Sequence, residues 1–330
     1  MSDNVLVTET VFPDLEPERS VFEETGIDLI VTEASSAEEI IDAAEGRSID
    51  ALLTATNILI TEEVFERIDT LTMVSSYGIG VDHIDIEAAT DHGVTVTNVP
   101  DYSVEEVSTH AVSLLLASVR RIPQYREHVN SGGWEWEVEA PLERLRGKTL
   151  GLVAFGKIPR RVSEKVDGFD LTVITYDPHV PDDTVEEYGV ESVGFEELFA
   201  RSDLISSHPP LTEETHHLID ADTFGAMKES AIYINTSRGP VVDESALYEA
   251  ITENEIRGAA IDVMEEEPPD DSPLLGLDDV IITPHAAWYS EQSREELQRK
   301  AAEEVVAVLQ NGTPRYVVND SQTESWASTD

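Results

Sequence analysis

The chain of 330 residues is longer than one ordinary core and predicts two domains. It carries 68 acidic against 21 basic residues, a net charge of −47 that disfavours nucleic-acid binding, yet its 40% hydrophobic content argues against global disorder. Cysteine is absent, which excludes disulfides, thiolate metal sites and a cysteine nucleophile.

The opening Met1-Ser2-Asp3-Asn4 has neither the positive charge nor the apolar stretch of a secretory leader, so a cytoplasmic protein is expected. Short apolar runs at 5–7, 27–31, 51–53, 73–75 and 94–97 then read as strands, and 16–24, 37–44 and 62–68 have helical spacing between them. This alternation predicts an open, mainly parallel α/β sheet. A long helix is predicted over 104–129, with Ala111, Leu114, Leu115 and Ala117 facing inward. Its apolar run at 111–119 is the longest in the chain and falls short of the ~18 residues of a membrane span, so no membrane partner is expected.

The alternation restarts with a strand at 149–155, a helix at 158–166 and a strand at 171–176. Further strands are expected at 204–207, 231–235, 259–263 and 280–283, and a helix over 291–309 stops at the cap signal Asn311-Gly312. Residues 319–330 read as a loose polar tail. Two α/β sets within one chain suggest a discontinuous arrangement, residues 1–100 plus 287–330 forming one domain and 101–286 a second inserted into it.

One loop has the context of a dinucleotide site. Residues 151–159 leave a strand and enter a helix, and the pattern G-x-G-x-x-G appears as Ala154-x-Gly156-x-x-Pro159. The glycine that admits a pyrophosphate to the backbone is kept as Gly156, and Pro159 falls in the first helical turn, where a missing N–H costs little. Asp177 ends the next strand, 21 residues after Gly156, where a carboxylate can bind both ribose hydroxyls of NAD and resist the 2′-phosphate of NADP.

Three further motifs follow strands of the second set: Asn235-Thr-Ser-Arg238-Gly239, Asp262-Val-Met-Glu-Glu-Glu267-Pro268 and Pro284-His285-Ala-Ala-Trp288. Ligands of open α/β sheets bind beyond the carboxyl ends of strands, so the three loops can converge. Arginine offers a planar fork for a carboxylate or polarised carbonyl, histidine donates a proton near neutral pH, and a neighbouring glutamate orients the imidazolium. Hydride exchange with a 2-oxo acid needs this set. Adjacent His216-His217 do not share the helical face of an i, i+4 metal pair, and no catalytic metal is expected.

With these motifs, and with Tyr77-Gly78-Ile79-Gly80-Val81-Asp82, Asn98-Val-Pro100 and His208-Pro-Pro-Leu-Thr212-Glu-Glu-Thr215, the sequence resembles the D-isomer-specific 2-hydroxyacid dehydrogenase family over nearly its whole length. The resemblance implies two Rossmann/flavodoxin-like domains with parallel sheets, the NAD-binding domain inserted into the substrate domain. It implies Arg238, Glu267 and His285 as the catalytic arginine, glutamate and histidine. Gly156, Lys157, Ile158, Asp177, Pro209, Thr215, Thr236, Ser237, Arg238, Asp262 and His285 would line an NAD site, with Asp262 facing the nicotinamide carboxamide. Tyr77, Gly78, Ile79 and Gly80, with Arg238, His285 and Trp288, would hold a small 2-oxo or 2-hydroxy acid, the backbone around Gly78 taking its carboxylate. The residues after His285 look like the branch of phosphoglycerate-dehydrogenase-like proteins and C-terminal-binding-protein corepressors, in which the tryptophan contacts the substrate tail. Ser76 stands where the corepressors have arginine, and Val107 replaces a polar cofactor contact. The long helix at 104–129 matches the family's dimer element, which implies a homodimer.

D-3-phosphoglycerate dehydrogenase is the first alternative, with only Arg19, Arg47 and Arg67 as basic residues before Pro100. An NAD-sensing, corepressor-like binding protein is another, and a formate-dehydrogenase-like enzyme, whose chemistry lacks the acid–base glutamate, a third. The charge itself, with lysine only at positions 148, 157, 165, 228 and 300, predicts adaptation to a salt-saturated cytoplasm, as in halophilic archaea.

Overall fold

The computed structural model describes residues 2–8, 12–23, 25–137 and 142–319. The chain divides into two compact units, one formed by residues up to Ser103 together with those from Ser290 onward, the other by Val104–Tyr289.

The first unit holds strands β1 (Asn4–Val7), β2 (Asp28–Val31), β3 (Ala51–Thr54), β4 (Met73–Ser76) and β5 (Thr95–Thr97). All pair in parallel, in the order β2-β1-β3-β4-β5. Central strands of a parallel sheet are covered on both faces, which is why β3 and β4 are buried at every residue while the edge strand β2 is partly exposed. Leu6, Leu52, Val74 and Val96 meet Ile40 and Phe65 in the core between sheet and helices. Helix Glu291–Val306 brings the end of the chain back to this unit, where the Gln298 amide donates to the buried Glu18 carboxylate at 3.0 Å.

The second unit holds β6 (Thr149–Val153), β7 (Thr172–Tyr176), β8 (Glu191–Ser192), β9 (Leu204–Ser207), β10 (Ile232–Asn235), β11 (Gly258–Ile261) and β12 (Val280–Ile282). Their order is β12-β11-β10-β9-β6-β7-β8, again all parallel. The direction of winding reverses between β6 and β9, and a ligand crevice of a doubly wound sheet lies at such a reversal. Register then decides what faces it. Val153 pairs with Tyr176 and Ser207, Ser207 with Asn235, Asn235 with Ile261, and Ile261 with Ile282. The next residue of each strand therefore leaves the sheet along one edge: Ala154, Asp177, His208, Thr236, Asp262 and Thr283.

The helix expected over 104–129 is two helices, Val104–Val119 and Ile122–Asn130. Pro123 has no N–H to continue the ladder, and its ring would strike the carbonyl four residues back; the chain breaks with Arg121 left-handed at φ 48°. Strand β8 gives no apolar signal because it is a two-residue edge strand with both side chains exposed. Helix Glu291–Val306 starts at a Ser290–Ser293 capping box and runs on into a π-helical turn, Ala307–Asn311, that Gly312 closes at φ 64°. Of the tail expected at 319–330, Asn319 is docked, its side chain taking the Val96 N–H at 2.9 Å and donating to the Val94 carbonyl at 2.8 Å; residues 320–330, like Glu24 at the end of the first predicted helix, lie outside the described residues. No helix among the described residues is long and apolar enough to cross a membrane.

Candidate active site

The loop after β6 keeps the backbone of a dinucleotide turn although its first glycine is missing. Ala154 sits at φ 71°, the left-handed conformation that glycine adopts without cost and an L-residue occupies at about 1–2 kcal/mol. Its N–H reaches the Tyr176 carbonyl at 2.8 Å, which fixes the turn. Replacing Ala154 with glycine is therefore expected to stabilise the protein by about 1 kcal/mol, a rise of roughly 2–4 °C in the unfolding midpoint. A midpoint unchanged or lowered in thermal unfolding would show that the turn carries no such strain. Gly156 caps helix Lys157–Val166, and a Cβ built on it meets nothing within 4 Å. Packing inside the protein thus does not call for glycine there, whereas a phosphate resting against the N–H groups at the start of the helix does.

Asp177 is braced on both oxygens, taking the Phe155 N–H at 2.7 Å and the His179 N–H at 2.8 Å. Each oxygen keeps a second lone pair, so the carboxylate is held in place with acceptor capacity left for ribose hydroxyls. Along the same edge, the Thr236 hydroxyl is buried without a partner, a polar atom that a bound nicotinamide nucleotide can satisfy. Ser237 and Thr215 are spent on local structure: the Ser237 hydroxyl donates to the Asn235 side chain at 2.7 Å, and that of Thr215 to the Pro210 carbonyl at 2.6 Å. Pro209 is buried beside them, while Lys157 and Ile158 open the helix after Gly156. The residues of this edge fit a dinucleotide.

Arg238, Glu267 and His285 come from the loops after β10, β11 and β12. A Cβ on Gly239 would lie 1.9 Å from the Met264 carbonyl oxygen, so only glycine lets the first two loops touch. The imidazole Nδ1 of His285 lies 2.7 Å from the Glu267 carboxylate, which also takes the Met264 N–H at 2.9 Å. Burial alone pushes Glu267 up, but the hydrogen bond and charge of His285, the Met264 N–H and the charge of Arg238 carry it below the usual carboxylate range. An ionised carboxylate only accepts, so Nδ1 donates to it and Nε2 is the atom left to exchange a proton with a ligand. His285 itself is left-handed, at φ 49°.

Asp262 is only 1% exposed, and its carboxylate takes the Thr283 hydroxyl at 2.5 Å and the N–H groups of Ala286 and Ala287 at 3.0 and 2.8 Å. Three donors of its own chain hold it against the His285 loop, while Oδ2, taking only the Ala287 N–H, keeps a second lone pair. Tyr77 serves the interior of the first unit, its hydroxyl donating to buried Glu18 at 2.8 Å, so its side chain is not free for a substrate. Trp288 is half-buried with its ring edge-on to Tyr289, 5.6 Å between centroids.

Residues 78–80 form a concave turn in the first unit. Their carbonyls are held by the Val99 N–H at 2.9 Å, the Asn98 amide at 2.6 Å and the Ser76 hydroxyl at 3.3 Å. Their N–H groups donate to nothing among the described residues. Gly78 must be glycine here, since a Cβ would meet the Thr56 methyl at 2.6 Å. Successive N–H groups of this kind are chemically suited to an anion. Val107 is buried in the second unit. Sequence reasoning missed His110, whose Nε2 is 3.0 Å from the Thr283 hydroxyl. No group of three or more metal-ligating side chains occurs among the described residues.

A Rossmann sheet with a braced carboxylate after its second strand and an Arg–Glu–His set on the same edge has the chemistry of an NAD-dependent oxidoreductase. Residues 112–287 match the model of the D-isomer specific 2-hydroxyacid dehydrogenase, NAD binding domain. A glyoxylate reductase from Korarchaeum cryptofilum is 38% identical over 326 residues, 97% of this chain and 96% of that protein. A D-3-phosphoglycerate dehydrogenase from Methanocaldococcus jannaschii is 38% identical over 96% of this chain, which spans only 59% of that longer protein. Among solved structures, a D-lactate dehydrogenase from Aquifex aeolicus complexed with NAD and lactic acid superposes with a TM-score of 0.85 at 28% identity, over 94% of this chain and 96% of the other. The chain belongs to the D-isomer-specific 2-hydroxyacid dehydrogenase family, whose members act on the CH–OH group of 2-hydroxy acids.

Proposed function

We propose that the protein is an NAD-dependent reductase of small 2-oxo acids, yielding D-2-hydroxy acids. The observation that carries this reading is the 2.7 Å pair of His285 and Glu267, beside the Arg238 loop on the edge that bears Asp177. Bound NADH supplies the hydride. The chain's own residues do the rest: the Arg238 guanidinium polarises the keto group, and His285 Nε2 delivers a proton to its oxygen while Glu267 holds the imidazolium at Nδ1. The N–H groups of residues 78–80 are assigned to the substrate carboxylate and Trp288 to its tail, as in the corepressor-like branch. Asp177 favours NAD over NADP by placing a fixed negative charge where the 2′-phosphate would sit.

A small unphosphorylated acid is favoured over 3-phosphohydroxypyruvate because, of the three basic residues before Pro100, two are engaged locally: Arg67 pairs with Glu63 on an exposed helix and Arg47 caps the Ala43 carbonyl. We further infer a homodimer and a salt-adapted cytoplasmic enzyme. Support for the dimer is the apolar surface of the helix Ile122–Asn130 and the loop after it, where Ile122, Trp134 and Trp136 are 55%, 86% and 79% exposed, more aromatic surface than a monomer usually leaves in water. A second copy of the same chain is the occupant we assign to it, since two-fold pairing would set the patch against its own counterpart.

The test is a panel of glyoxylate, pyruvate, longer apolar 2-oxo acids and 3-phosphohydroxypyruvate with NADH and NADPH in molar potassium chloride, with sedimentation of the same preparation. Turnover of an unphosphorylated acid with NADH, by a dimer, is expected. Preference for the phosphorylated acid would replace the substrate assignment, and NADH binding without turnover of any acid would make the protein a sensor.

A further inference from the structure

The left-handed His285 has to be held, and the structure shows by what. Its own N–H lies 2.7 Å from the Asp262 carbonyl, and the N–H groups of the two following residues go to the Asp262 carboxylate at 3.0 and 2.8 Å. One buried residue thus grips the loop on both sides of the imidazole. The same carboxylate takes the Thr283 hydroxyl, which spends that group's single proton. His110 Nε2, 3.0 Å from the Thr283 oxygen and 3.4 Å from the Asp262 carboxylate, can then only be a donor. The result is a directed chain, His110 to Thr283 to Asp262, running from helix Val104–Val119 to the loop of His285, entirely within the second unit.

We propose that His110 is a positioning residue for His285, acting through Thr283 and Asp262 to fix the loop that presents the imidazole. The inference rests on the reading of His285 as the proton donor but is decided separately from it. Without the His110 donor, Thr283 is left with the Asp262 bond alone, the carboxylate loses the neighbouring imidazole on one side, and the two contacts from it that hold His285 in its costly backbone conformation are less tightly fixed. A displacement of about 1 Å at a reacting atom costs on the order of 10²-fold in rate.

The experiment compares His110→Phe, which keeps a ring but no donor, with His110→Gln, whose side-chain N–H reaches a similar point. The Phe variant is expected to lose roughly 10- to 100-fold in kcat with the NADH dissociation constant and unfolding midpoint unchanged, and the Gln variant to recover most of the loss. Independently of turnover, the rate at which diethylpyrocarbonate modifies His285, read by peptide mass at fixed pH, is expected to rise several-fold in the Phe variant as the Glu267 pair loosens, and to return in the Gln variant. Equal kcat and equal modification in wild type and Phe variant would overturn the proposal; so would a Gln variant as impaired as Phe, or a kcat loss matched by lost NADH affinity. If the wild type reduces no 2-oxo acid, the functional reading falls while the modification rates still decide the role of His110.

Discussion

His285→Ala is expected to lower 2-oxo acid reduction by about 10²- to 10⁴-fold while NADH still binds. The reason is local. Asp177, Gly156 and Thr236 lie on the loops after β6, β7 and β10, so the nucleotide surface survives the loss of an imidazole carried after β12. What disappears is the ring that reaches Glu267 on one side and leaves Nε2 for a ligand on the other. Glu267→Gln separates the two jobs of that pair. Because the Glu267 carboxyl lies below its usual range, it stays ionised near neutral pH and offers Nδ1 an anionic acceptor. Glutamine keeps an acceptor and removes the charge, so Glu267→Gln is expected to lower reduction by more than about tenfold with NADH binding kept. Near-normal reduction by His285→Ala, or by Glu267→Gln, would refute these roles in steady-state assays.

Most of this site could be read from the sequence because its parts are local signals. A strand, a turn and a helix start surround Gly156; Asp177 follows at a fixed distance; each member of the proposed catalytic set lies in the loop after a strand rich in apolar residues. Parallel register then aligns those ends without further information, which is why so few residues specify so much geometry. What the sequence hides is direction and partnership. Nothing in the Asp262 motif says that its carboxylate turns onto N–H groups 24 and 25 residues later, and nothing at His110 names a hydroxyl 173 residues away. Tyr77 stands in a substrate-loop motif yet is claimed by Glu18 from a distant helix. Pro123 was visible all along, but the apolar spacing on either side of it reads as one helix until the proline's steric demand is given priority.

The unfolding midpoint is expected to rise by about 10–20 °C between 0.1 and 3 M potassium chloride, corresponding to roughly 5 kcal/mol or more of relieved repulsion in a protein of this size. Several cations of this chain are committed to local pairs: Arg161 and Lys165 both hold Glu105, Arg201 holds Glu191 and Glu197, Arg315 holds Glu303 and Glu304, and Lys300 holds Asp101 and Glu296. With 68 acidic against 21 basic residues, most carboxylates have no cation to meet them, and Glu62, Glu63 and Glu66 on one short helix show how closely the exposed carboxylates are set. Salt weakens the exposed pairs as well, but each is worth only about 0–1 kcal/mol, whereas screening acts on every repulsive pair beyond ~3 Å at 1 M. pH separates this from a general salting-out effect. Glu105, Glu191 and Glu303 are held below the usual carboxylate range, Glu105 and Glu191 chiefly by hydrogen bonds to Arg161 and Arg201, Glu303 by Arg315 and Arg299 against the opposing effect of burial. Their contribution is present above the ordinary carboxylate pKa and is lost as pH falls through their own lowered values. As acid neutralises carboxylates, the repulsion that salt relieves goes with their charge. The gain from potassium chloride is therefore expected to shrink between pH 7 and pH ~4, where screening has less charge to act on. A midpoint that ignores salt at pH 7, or a gain undiminished in acid, would show that carboxylate repulsion does not govern the stability of this fold.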